Sequence, residues 1–254
     1  MIALKPLRLG CLALSLVVTN VSAQEKPQTF EGPVERVKVV ELFTSHGCSS
    51  CPPADAWLSR LEHDPGLWQQ VIPIAFHVDY WDYLGWRDRY AETAFSQRQR
   101  DYRRNGGLSS VYTPGMLVNG REWRGWYRGR SIPGGQPQQV GRLQLEIPAE
   151  GRATLRFTPG PDWQAGDLKA HMAILASGVT SQIGAGENRG RELEESFIVL
   201  DHETSETAVA PHTWALDWPG LEGRVGERHA VVAWLSSGTD PAPLQAVGGW
   251  LQND

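Results

Sequence analysis

Cysteine is scarce in this chain. Three occur in 254 residues, and the first, Cys11, lies in a leading segment that reads as an export signal. Beyond that segment only Cys48 and Cys51 remain, so this pair has only itself to bond with. A basic stripe is also missing. Without Lys5 and Arg8, 22 of the 24 basic side chains stand against 29 acidic ones, a formal charge of −7. That balance argues against a nucleic-acid binder. After the leading segment no run is long and apolar enough to span a bilayer, and no internal repeat occurs. What the chain does have is 11 tryptophans and 27 glycines, the mark of a globular, turn-rich protein.

The first 23 residues have the parts of a secretory signal. Lys5 and Arg8 give a positive start, Leu9 to Val18 a short apolar stretch, and Val21-Ser22-Ala23 the small residues before a cleavage point at Gln24. An uncleaved anchor would need roughly 20 apolar residues. A lipoprotein would acylate Cys11, but Arg8 stands where an apolar residue is wanted. The expected location is periplasmic or secreted.

A polar leader covers 24–35. From 36 to 135 strand and helix patterns alternate. Val37–Phe43 reads as a strand, Ala54–His63 as a helix, Val71–Val78 as a strand, and Trp86–Arg104 as a long helix stopped by Asn105-Gly106-Gly107. Met116 to Trp123 reads as a hairpin around Asn119-Gly120. This β-α-β-α-β-β order predicts a parallel pair and an α/β sheet. Residues 125–139 read as a linker. From 140 to 254 only short strand runs appear, at Ala153–Phe157, Lys169–Ala176, Phe197–Leu200, Ala208–His212 and His229–Leu235. They predict a second, all-β sandwich-like domain.

Cys48-Ser49-Ser50-Cys51 falls at the first strand-to-helix junction, followed by Pro52-Pro53. A thiolate, not a thiol, attacks a disulfide, and a helix N-terminus favours the thiolate. Cys48 is therefore expected as the attacking thiol and Cys51 as the resolving one. His46, as imidazolium, would assist; as a solvated loop residue it would not. Glu41 interrupts an apolar strand. It either relays the proton of Cys51 or faces solvent at a strand edge. Thr113-Pro114 precedes a strand, where a cis proline would leave a backbone edge free for an extended substrate.

These elements resemble the thioredoxin superfamily over about residues 36–125. More closely, the chain resembles an uncharacterised family of exported bacterial proteins, domain of unknown function 1223. That resemblance rests on Glu41 to Asp55, His77-Val78-Asp79-Tyr80-Trp81-Asp82, Thr113-Pro114 and Gly186-Glu187-Asn188-Arg189-Gly190. The superfamily implies a thioredoxin-like fold and thiol–disulfide exchange with a thiol- or disulfide-containing protein or small molecule. The narrower family implies no established activity. Gly47 stands where the superfamily usually has an aromatic residue.

Three readings follow. The first is an exported thiol–disulfide oxidoreductase that needs no cofactor and no metal. The second is a binding protein whose disulfide is a staple. The third is a copper or zinc metallochaperone drawing on Cys48, Cys51, His46 and His77. Asp79, Asp82 and the aromatic residues from Tyr80 to Trp86 are expected near the site or as a packed loop. Gly186–Gly190 reads as a β-hairpin turn or a surface loop touching the other domain. Arg98, Arg100, Arg103 and Arg104 read as favourable charge at a helix end.

Overall fold

The computed structural model describes residues 26–163 and 166–252. The expected export segment, its cleavage point and Cys11 lie outside the described residues. The polar leader carries the first strand, β1 (Gln28–Glu31). There follow β2 (Lys38–Thr44), α1 (Pro52–Ser59), β3 (Val71–His77), α2 (Thr93–Arg104), β4 (Gly115–Val118) and β5 (Arg121–Glu122). Next come β6 (Gly141–Ile147), β7 (Arg152–Pro159), β8 (Leu168–Ser177), β9 (Val179–Gln182) and β10 (Glu192–Glu195). The last strands are β11 (Ile198–Ser205), β12 (Thr213–Asp217), β13 (Arg228–Ser237) and β14 (Asp240–Trp250).

The expected fold class, an α/β thioredoxin-like domain followed by an all-β sandwich-like domain, is overturned. The chain is mostly β, with 41% strand and 13% helix. One mixed sheet of eight strands, in the order β14-β13-β8-β11-β3-β2-β4-β5, runs across both expected parts. Its join is a single parallel register pair, Ile198 with Ala75, beyond which β11 continues antiparallel to β8. A four-stranded sheet, β1-β6-β7-β12, packs on one end, and β9–β10 forms a separate hairpin.

Strand β13 explains the joining. Ala230, Val232 and Trp234 point into the core shared with the helices, while Val231, Ala233 and Leu235 point into the core under the four-stranded sheet. Both faces are buried, so the strand is apolar without alternation. Locally the sequence expectations hold better. β2 and β3 pair in parallel and β2 and β4 antiparallel. Asn119 and Gly120 have φ of 47° and 76°, as their two-residue turn requires. Helix α2 starts at Thr93 rather than Trp86. Asp79 accepts the Thr93 hydroxyl at 2.6 Å, and Asp88 is drawn inward instead of extending the helix.

Three aromatic rings stack on neighbouring strands: His171, His202 and Trp234, with centroids 4.8–5.4 Å apart. His171 Nδ1 faces His202 Nε2 at 3.2 Å, so one proton serves both. Burial and the nearby Arg98 guanidinium hold His202 down to about 3 and His171 well below the usual histidine range. Unfolded histidine takes up protons below about pH 6.5, whereas these two stay neutral in the fold. Their contribution to stability is complete above that pH and falls away toward pH 3. In His202→Phe, the loss of unfolding free energy between about pH 7.5 and about pH 5 should be about 2 kcal/mol smaller than in wild type. Denaturant titrations at the two pH values check this; parallel losses would show His202 charged in the fold.

Candidate functional site

The backbone leaves β2 at Thr44, turns through Ser45–Ser50 and enters α1 at Cys51, with Pro52 in the first helical position. Proline there forfeits only an amide that has no intrahelical partner. Cys48 and Cys51 form a disulfide with Cα atoms 5.5 Å apart. Both are buried, at 1% and 0% exposure. The Ser50 hydroxyl lies 3.3 Å from Cys48 Sγ.

The loop is held by many bonds besides the sulfur bridge. Asp88 Oδ2 accepts the His46 amide at 2.8 Å, and Ser45 Oγ accepts the Gly47 amide at 3.1 Å. The loop between β9 and β10 closes over it. Asn188, fully buried, donates to the carbonyls of His46 and Cys48 at 2.8 and 2.9 Å. Glu187 Oε2 accepts from the Ser49 amide at 3.0 Å and the Ser49 hydroxyl at 2.6 Å, which holds its carboxyl below the usual range. Trp81 covers the other side. A Cβ at Gly47 would sit 2.7 Å from Trp81 Cβ, which accounts for glycine there. The Trp81 indole donates to Thr113 Oγ1 at 2.8 Å, tying the Thr113-Pro114 segment to the loop. That peptide bond is cis.

Beneath the loop lies a buried polar cluster from four segments. His46 Nε2 meets Glu195 Oε2 at 2.6 Å, and His77 Nδ1 meets Asp88 Oδ2 at 2.8 Å. Burial alone would lower His77, but Asp88 and Glu195 outweigh it and raise the imidazole to about 9. Burial would raise Asp88, but His77 and His46 outweigh it and hold the carboxyl below the usual range. Asp55, one turn into α1, is pushed well above that range by burial and by the neighbouring Glu195. A cavity of about 370 Å³ is lined by Asp55, Glu192, Glu194 and Glu195, together with Pro52, Pro53 and Arg191.

The predicted residues are thus partly gathered. His46 flanks the disulfide and is fully buried, not solvated. Thr113 and Pro114 reach it through Trp81. Glu41 is buried but fully engaged: Arg98 donates to Oε1 at 2.8 and 2.6 Å, and Tyr102 donates to Oε2. Arg98 therefore serves the core rather than the helix end. Tyr83 is exposed, while Asp79 and Asp82 bond to the 88–96 segment. Sequence reasoning gave no site role to Asp55, Asp88, Glu187, Asn188 or Glu195, although Asp55, Glu187 and Asn188 lie in the motifs that carry the family resemblance. One signal was available. Leu193 and Glu195 share a face by the period of a strand, so a strand that buries the leucine here also buries the glutamate.

Asn188→Ala would strip the donors from two buried carbonyls. A loss of about 2–4 kcal/mol in unfolding free energy is expected, together with faster reduction of the disulfide by a small dithiol. Denaturant titration and timed thiol counting test this; unchanged stability and rate would show that Asn188 does not latch the loop.

Similar solved structures include a crystal structure of an Agrobacterium tumefaciens protein, 26% identical, with a TM-score of 0.56, covering 85% of this chain and 95% of that one. HBP35 of Porphyromonas gingivalis is 16% identical with a TM-score of 0.56, covering 87% of this chain and 76% of that one, a likeness of fold alone. No curated protein matches. The family model described as "Protein of unknown function (DUF1223)" matches residues 39–235, and the chain belongs to that family.

Proposed function

We propose that the protein is an exported thiol–disulfide exchange protein working through Cys48 and Cys51. The observation that carries this is the redundancy of the disulfide. A bridge between residues three apart removes little chain entropy, worth about 2 kcal/mol, against about 4.7 kcal/mol for a 100-residue loop. Meanwhile Asn188, Glu187, Asp88 and Ser45 already hold the loop. The bridge is then free to open and close without loss of the fold. Residues 1–23 support export, to a compartment where disulfides persist.

In the oxidising direction, a substrate thiolate attacks Cys48 Sγ. A mixed disulfide forms and Cys51 leaves as thiolate, taking a proton. Asp55, one turn away and with its carboxyl raised well above the usual range by burial, is our candidate donor. A second substrate thiolate then attacks the substrate sulfur of the mixed disulfide and releases Cys48, which also takes a proton. The substrate ends as a disulfide, and the protein has gained two electrons and two protons. Reduction of a substrate disulfide is the same sequence reversed. Because both sulfurs are buried, the Glu187–Asn188 loop must swing away first.

One observation favours the second reading, a binding protein with a structural disulfide: neither cysteine is more than 1% exposed. Trapping separates the two. Cys51→Ser should accumulate mixed disulfides when its Cys48 thiolate attacks a test protein's disulfide and releases the other sulfur as thiolate, and Cys48→Ser should not. Failure of both variants would favour the staple, and equal trapping would overturn the assigned roles. In addition, full reduction should leave the protein folded, with Tm lowered by no more than about 8 °C. Calorimetry on the oxidised and reduced forms measures this, and unfolding on reduction would contradict the proposal.

A further inference from the structure

The cluster beneath the cysteine loop leaves two atoms without partners. Each imidazole uses one nitrogen on a carboxylate, His46 Nε2 on Glu195 and His77 Nδ1 on Asp88. The other nitrogens, His46 Nδ1 and His77 Nε2, are buried with no hydrogen-bond partner. Asp88 Oδ1 stands off from the first at 3.5 Å, and Glu195 Oε1 from the second at 3.7 Å. Orphaned buried polar atoms each cost about 1–3 kcal/mol, so a matched pair calls for an explanation.

The arrangement is the one metal-binding histidines adopt. Such a histidine holds one ring N–H on a carboxylate, which fixes the ring and aims the other nitrogen at the ion. Here one donor atom each from His46, His77 and Asp88 lies within 4.8 Å of the others. An ion centred among them needs bonds of about 2.0–2.2 Å, which each donor reaches by moving inward less than about 1 Å. The carboxylates of Asp88 and Glu195 would match the two charges of a dication. The acidic cavity lined by Asp55, Glu192, Glu194 and Glu195 offers an approach of the right sign.

We propose that His46, His77 and Asp88 bind one divalent first-row transition ion of the zinc type, with Glu195 holding the His46 ring in place. Two imidazoles disfavour calcium and magnesium, which take oxygen ligands. The absence of a thiolate from the donor set disfavours copper(I). This differs from a metallochaperone built on the cysteines, because the sulfurs stay in their disulfide. It stands or falls separately from thiol exchange.

The test uses the full chain with its disulfide intact. After loading with zinc and dialysis against a moderate chelator, elemental analysis should find one zinc per chain. Thermal unfolding should rise by at least about 5 °C at a hundredfold excess over Kd. The Cys48→Ser/Cys51→Ser double variant should retain the ion, and His77→Gln should lose at least tenfold in affinity. Should His77→Gln fail to fold, cobalt(II) on the wild type decides. The expected spectrum has visible ligand-field bands and no sulfur charge-transfer band. Failure of the wild type to retain either ion overturns the proposal, and so does binding that disappears with the cysteines or a sulfur-to-cobalt band.

Discussion

Two imidazoles and two carboxylates, drawn from four separate stretches of chain, close a ring of contacts in a space shielded from solvent. His46 follows β2, His77 ends β3, Asp88 lies in the segment before α2, and Glu195 ends β10. Burying such groups is costly unless each is paired, and removing one partner from a buried pair costs about 3–5 kcal/mol. The four therefore hold one another in place. The cysteine loop rides on this ring, because Asp88 accepts the His46 amide as well as the His77 imidazole.

With the loop fixed from below by the ring and from above by Asn188 and Glu187, the sulfur bridge has little structural duty left. A bridge that staples a fold stabilises it most when it closes a long stretch of chain, and this one closes a short one. The same cover that makes the bridge redundant also hides it. The proposed exchange at Cys48 therefore requires the 183–191 loop to lift. Glu187 belongs to the exposed part of that latch and Asn188 to its buried part, so the two bonds differ in how readily they break.

The local features were legible in the sequence because they rest on local physics. The strand, Cys-x-x-Cys and helix succession follows from an apolar run and a proline at the first helical position. The Asn119-Gly120 hairpin follows from turn chemistry. The merged sheet was not legible, because its join is one register pair between residues more than a hundred positions apart. Asp88 was hidden inside a segment that looks helical until Asp79 is seen holding Thr93 at the true start. Glu41 read either as a buried relay or as a solvent-facing edge residue, because its partner Arg98 lay among arginines that read as favourable charge at a helix end. Glu187 and Asn188 sit in a glycine-flanked loop whose docking depends on the hairpin's placement, which no local pattern specifies.

The central claim is that Cys48–Cys51 is an exchanging pair rather than a staple. Its reduction potential tests this most directly, by equilibration with glutathione buffers and quantification of the dithiol form. The account predicts a value of about −250 mV or higher, within reach of thiol pools and exchange proteins. A potential below about −300 mV, where structural disulfides fall, would contradict it.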